Sequence, residues 1–286
     1  MSEIARLRPS PIAGQWYEGN PTTLRRKVTG WLTHKPIKPA GRVVGVIAPH
    51  AGHIYSGSVA GTAFGCLVGQ VFDLVIILSP YHDYTTTPLL TSAHQAYWTP
   101  LGEVPIATDK VAAVSAALVE NGFNPLKAVA NDREHSLEIE LPFLQVALAQ
   151  PFLLLPIMAQ THQPRLLQTL AKAIANVCAT QSTLLVASSD LSHFYPDAIA
   201  NQLDGEMLRR IQSFDPQAVL DAEVSGTAFA CGAGPIAAVL WAAQHLGANQ
   251  VEVVDYATSA AATGDTRRVV GYGAALITAS PEGSQG

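Results

Sequence analysis

Three short apolar runs, each ending at a polar loop that carries a histidine, constrain this chain more than any other feature. Arg42–Ala48 (RVVGVIA) leads into Pro49 and His50, and Asp73–Ser79 (DLVIILS) leads into Pro80, Tyr81 and His82. The third, TLLVASS ending at Ser189, leads into Asp190 and His193. Runs this short, unbroken and β-branched read as strands covered on both faces, which is the habit of parallel sheets. Helical patterns lie between them: one from Ser56, whose hydroxyl suits an N-cap, one from about Asp109 to Asn121, and one from about Arg165 to Cys178. The alternation predicts an α/β fold with a central mixed, largely parallel sheet flanked by helices on both faces. Such sheets bind ligands beyond the C-terminal ends of their strands, where all three polar loops fall.

The remaining segments fit this frame. A hairpin-like region spans Pro88 to Ala107, SLEIELPFLQVALA from Ser136 reads as a helix with Pro142 in its first turns, and Phe152 opens another apolar run. Helices are expected from about Ala198 to Ser213 and Gly234 to Leu246, and strands near Val251 to Ala257 and Arg268 to Thr278. With no internal repeat or long linker, residues 1–286 are expected to form a single domain. Charged residues make up only 14% of the chain, against roughly 25% in typical soluble domains, so much of it must be buried. A net charge of −5 provides no basic field for nucleic acid or acidic lipid. The N-terminal stretch lacks a signal-peptide core, and the apolar segment from Thr227 to Gly247 is broken by Gly232, Gly234 and Pro235 as suits a buried helix. Three scattered cysteines fit a reducing, cytoplasmic location.

Several residues can carry chemistry. His50 and His82 both follow a strand and a proline, and two imidazoles at neighbouring strand ends can meet around zinc, iron or copper. His53 competes with His50, as a supporting or solvent-facing residue. Asp190 and His193 offer a carboxylate and an imidazole for ligation or acid–base work, or else an N-cap and a surface histidine. Cys231 precedes a helix whose N-terminus favours a thiolate, whereas Cys66 and Cys178 sit inside apolar helices. The segment NDREHSLEIELPF adds His135 as a secondary candidate, with Asp132, Glu134, Glu138 and Glu140 read as acids favoured at a helix start. No G-x-S-x-G, P-loop, H-E-x-x-H or complete G-x-G-x-x-G motif occurs, which argues against the commonest hydrolase, NTPase and dinucleotide enzymes.

Read in order, RPSPIAGQWYEGNP, APHAGHIYSG, LSPYH, EHSLEIELPF, SSDLSHF and CGAGPI resemble the successive motifs of the Memo family, and the likeness extends through WTPLGEVP and the closing YATSAAATGDTRRVVGYGAALI. The resemblance implies a fold like that of class III extradiol dioxygenases and a metal held by His50, His82 and Cys231, with iron or copper expected and zinc an alternative. It places Asp190 and His193 in the pocket as acid–base residues. Tyr81 stands where the family more often has a small polar residue, which makes it a secondary pocket candidate. A redox enzyme acting on a small molecule is one implied function. A non-catalytic scaffold that binds a peptide or modified side chain is a second, and a component of a radical-SAM-associated modification pathway is a third.

Overall fold

The three apolar runs that end in histidine-bearing loops lie together as parallel strands. A computed structural model describes residues 5–179 and 181–280, so residues 1–4 of the N-terminal stretch read above lie outside the described residues. The chain begins with β1 (Leu7–Arg8), α1 (Pro21–His34), β2 (Arg42–Ala48), α2 (His53–Gly65) and β3 (Leu74–Pro80). It continues through β4 (Leu89–Ser92), β5 (Ala96–Thr99), β6 (Gly102–Pro105), α3 (Thr108–Glu120), β7 (Lys127–Val129), a 3₁₀ turn (Glu138–Glu140) and α4 (Leu141–Ala147). Then come β8 (Leu153–Ala159), α5 (Pro164–Cys178), β9 (Thr183–Ser188), β10 (His193–Tyr195), α6 (Asp197–Gln212) and α7 (Pro216–Ser225). The chain closes with α8 (Ala233–His245), β11 (Gln250–Thr258), α9 (Ala260–Thr263) and β12 (Val269–Ala279).

A nine-stranded sheet runs β10-β12-β2-β9-β3-β8-β4-β7, with β11 also paired to β12. Its centre, β2, β9, β3 and β8, is parallel, while β12 joins β2 and β4 joins β8 antiparallel. The fold is therefore α/β with a mixed central sheet. Side chains of β3 show why its sequence is apolar throughout: Leu74, Ile76 and Leu78 pack with α3, α5 and α8, while Val75 and Ile77 face α1, α2 and α4. Burying each such side chain contributes about 1.5–3 kcal/mol, and the two-sided pattern pins the strand's register, since a one-residue slip would exchange the faces. Among the described residues no helix is long and apolar enough to cross a membrane.

Three local readings differ from the sequence expectations. Helix α2 begins at His53 rather than Ser56, because the His53 N–H donates to the Trp16 carbonyl (2.8 Å) and the Ser56 hydroxyl turns back to the Ala51 carbonyl (2.8 Å) instead of capping. The segment from Ser136 does not enter a helix at once. It makes the 3₁₀ turn first, where Glu138 accepts from Arg8, Ser10 and Tyr17 and the buried Glu140 carboxyl has no hydrogen-bond partner, so neither acid caps the helix. No helical turn forms at Asp190–His193; the chain stays extended, with His193 paired to Val270 of β12. Helices α1 and α7 were not anticipated, although each announces itself by a cap followed by proline. Asn20 accepts from Thr23 N–H ahead of Pro21, and Asp215 accepts from the N–H groups of Gln217 and Ala218 around Pro216.

Candidate metal centre

Strand order builds the site. Because β9 lies between β2 and β3, with adjacent strands roughly 4.8 Å apart, the loops bearing His50, Asp190 and His82 leave the sheet side by side. The loop before the 3₁₀ turn reaches over them and delivers His135. Ring centroids are 5.3 Å apart for His50 and His82, 5.5 Å for His50 and His135, and 4.7 Å for His82 and His135. One nitrogen from each of these three rings comes within 4.8 Å of the others, a spacing that suits a single ion.

This group corrects the expected ligand set of His50, His82 and Cys231. The third member is His135, and the set is His/His/His. Cys231 packs beneath His50, with Sγ 3.2 Å from Nε2, and is absent from the cleft lining. Its backbone N–H donates to the Asp190 carbonyl (3.2 Å), and its thiol lies between His50 Nε2 (3.2 Å) and that carbonyl (3.5 Å) rather than presenting a thiolate to the start of α8. Burial, reinforced by the Asp190 carboxyl, pushes the thiol pKa up and keeps the sulfur protonated. Gly232 permits this close packing, since a Cβ there would lie 2.6 Å from the Ser188 carbonyl oxygen and 2.7 Å from Ser189 Cβ.

The hydrogen bonds fix which histidine nitrogens are available. Ser188 Oγ donates to the Ser136 carbonyl (2.6 Å) and so accepts from His50 Nδ1–H (2.9 Å), leaving the lone pair on Nε2. His82 Nδ1 is bound by Glu134 (3.0 and 3.2 Å), which also accepts from the His82 backbone N–H at 2.6 Å. A carboxylate behind an imidazole orients the ring and raises its basicity, as it does behind metal-ligating histidines. Although burial opposes its charge, the Glu134 contacts raise the His82 pKa. Against its own burial, Glu134 is held far below the ordinary carboxylate range by His82 and by the backbone N–H groups of Ser136 and His82. Burial, followed by the neighbouring histidines, drives His50 well below its usual value, and burial lowers His135 to about 4. Both rings are therefore neutral at physiological pH and able to ligate. The substitution Glu134→Gln places an amide NH2 against these donors and should weaken metal binding about 10–100-fold, measured by competition with a chromophoric chelator. An unchanged affinity would reduce Glu134 to a structural anchor.

Glu134 is itself positioned from the start of the chain. Arg8, 1% exposed, donates to the Glu134 carbonyl (2.7 Å), to Asp132 Oδ1 (2.7 Å) and to Glu138 Oε2 (2.6 Å), and its guanidinium lies 4.8 Å from the Tyr97 ring centroid. Tyr17 and Ser10 also donate to Glu138. Sequence reading took these acids for helix-start residues and passed over Arg8. A usable signal was present: in a chain so poor in charge, four acids between residues 132 and 140 need a buried partner.

Beside the histidines a cleft of about 720 Å³ opens, lined in part by Trp16, Tyr55, Asp190, His193 and Tyr272. Asp190 accepts from the His50 N–H (2.8 Å), yet burial raises its pKa to about 7 despite that N–H and the one from Ala51. His193 Nδ1–H donates to the Leu191 carbonyl (2.8 Å), which leaves Nε2 as the acceptor, and burial lowers its pKa. Tyr81 is not among the lining residues, and its carbonyl is taken by Gln160 (3.1 Å). His53 faces neither the metal group nor bulk solvent; it is buried against Tyr17, Trp31 and Phe143, with a pKa lowered by burial to about 4.

A family model described as Memo-like protein matches residues 8–276. A MEMO1 family protein of Nitrosopumilus maritimus is 30% identical over 273 residues, covering 94% of this chain and 98% of the relative. One from Methanopyrus kandleri is 31% identical over 283 residues (94% and 98%), and one from Sulfolobus acidocaldarius is 32% identical over 284 residues (93% and 97%). The match runs from the arginine that anchors the Glu134 loop to the strand that carries the far wall of the cleft, and the chain belongs to the Memo family.

Proposed function

We propose that the chain holds one transition-metal ion through His50, His82 and His135 and uses Asp190 and His193 to move protons on a small ligand in the adjoining cleft. The observation that carries this reading is the convergence of three imidazole nitrogens within 4.8 Å, two of the rings having their Nδ1 atoms already bound by Ser188 and Glu134. Neutral imidazoles suit iron, copper and zinc; we place iron or copper first and zinc as the alternative. Bound there, iron or copper supplies Lewis acidity and a redox couple, and zinc the Lewis acidity alone.

Asp190, with a pKa near 7, can hold a proton or release it near neutrality. His193 offers a neutral Nε2 acceptor on the same cleft. Two groups with differently tuned pKa values on one wall form an acid–base pair. We further propose a fold like that of class III extradiol dioxygenases and a single domain, readings supported by one continuous mixed sheet from β10 to β7. Three free cysteines suit a reducing cytoplasm.

The test is metal titration of untagged, chelator-stripped protein with Fe(II), Cu(II) and Zn(II). One equivalent should bind, and His135→Ala should weaken it by about 100-fold or more. If His135→Ala binds metal as the wild type does, the three-histidine assignment is wrong.

A further inference from the structure

We propose that the cleft is built for a small organic carboxylate with an aromatic or similarly flat apolar body, and that Arg268 holds its carboxylate. The inference rests on the cleft assigned above but not on the metal. Four observations lead to it.

The first is the charge inventory. Two acids line the cleft and both are engaged: Asp265 pairs with Arg267 (2.7 Å), and Asp190 accepts the His50 N–H. Arg268 lines the same cleft and, among the described residues, makes no ion pair. The second is how it is held. Its guanidinium carbon sits over the Phe194 ring, 5.3 Å from the centroid, and among the described residues no side chain or carbonyl takes the guanidinium N–H groups. That presentation suits bidentate capture of a carboxylate.

The third observation is backbone strain at the supporting ring. Phe194 has φ of +66° and is 61% exposed, an unusual state for a bulky apolar residue. It lies where the β10–β12 register shifts, between His193 and Tyr195. A left-handed conformation at a non-glycine residue costs of order 1–3 kcal/mol and is retained where it positions something. Here it turns the ring outward under Arg268. The fourth is the apolar lining, where Trp16, Ile54 and Tyr55 expose large apolar surfaces and the Trp16 ring lies 4.1 Å from the His135 ring, tilted by 45°. Flat apolar walls and one unneutralised guanidinium select an anion with a flat apolar body, and about 720 Å³ is room for a small molecule.

The experiment uses full-length, metal-stripped protein and three acids, benzoate, phenylacetate and 2-naphthoate, each against its own carboxamide. Binding is followed by calorimetry and ligand-observed NMR. At least one acid should bind about tenfold or more tighter than its amide. Arg268→Ala should erase that preference, Arg268→Lys should keep part of it, and both variants should take up metal with wild-type stoichiometry. If no acid outbinds its amide, or if Arg268→Ala leaves the preference intact, the proposal is overturned. Loss of metal binding by the wild type would instead overturn the metal assignment and leave this one standing.

Discussion

Arg8→Met is expected to destabilise the protein by about 3–5 kcal/mol, read as a lower midpoint of urea unfolding at unchanged slope. The side chains of Arg8, Asp132 and Glu138 are 1%, 2% and 0% exposed, so removing the guanidinium strands two carboxylates away from water. Methionine fills much of the same volume, and packing loss therefore contributes little. The size of the effect is the penalty for the stranded charges, and a triple replacement of Arg8, Asp132 and Glu138 by apolar residues of similar volume should recover most of it. Arg8→Lys should fall between, because an ammonium cannot reach Asp132, Glu138 and the Glu134 carbonyl together. A loss below about 1 kcal/mol for Arg8→Met would mean that the ion pairs are not what holds this loop.

The second large effect is linked to pH. Glu140 is fully buried, and neither of its carboxyl oxygens meets a hydrogen-bond partner. Burial raises its pKa well above the ordinary range; Ser188 acts against the rise and Asp190 adds to it. The native state therefore keeps a proton that the unfolded chain gives up above about 4.5. More protons bound in the native state means that stability falls as pH rises, by at most about 1.4 kcal/mol per pH unit. The contribution is complete below the unfolded pKa and is lost towards the folded one. Glu140→Gln removes this dependence. The stability of the variant relative to wild type should thus improve by up to about 3 kcal/mol between pH 5 and pH 7. Buried histidines titrate over part of the same range, but alike in both proteins, so the difference isolates Glu140. A flat difference across that range would show that Glu140 ionises normally.

The sheet was readable because its central strands are covered on both faces, which leaves no room for polar residues and makes runs such as DLVIILS unmistakable. The positions of His50, His82 and Asp190 were readable for the same reason, because each lies two residues beyond the end of one of those strands. The role of Cys231 was not. Its place ahead of α8 suggested a thiolate, but that reading depends on where the side chain points, and burial, reinforced by the Asp190 carboxyl, decides it. His135 was placed only as a secondary candidate because it comes from a loop that crosses the sheet ends, and local sequence carries no trace of that crossing. Arg8 is a partner at a sequence distance of 124 to 130 residues, which no local pattern reports.

The Arg8 clamp also orders events in time. On a ribosome adding about 5–20 residues per second, the Glu138 codon is read of order ten seconds after that of Arg8. Through that interval the guanidinium has no carboxylate to meet, and β1 has no β5 until residues 96–99 emerge. The N-terminal segment must then wait for the Glu134 loop, which makes alignment of the histidine loops a late step of maturation. A bulky fusion placed just ahead of Arg8 would interfere at that step, lowering metal occupancy in protein that otherwise purifies as folded.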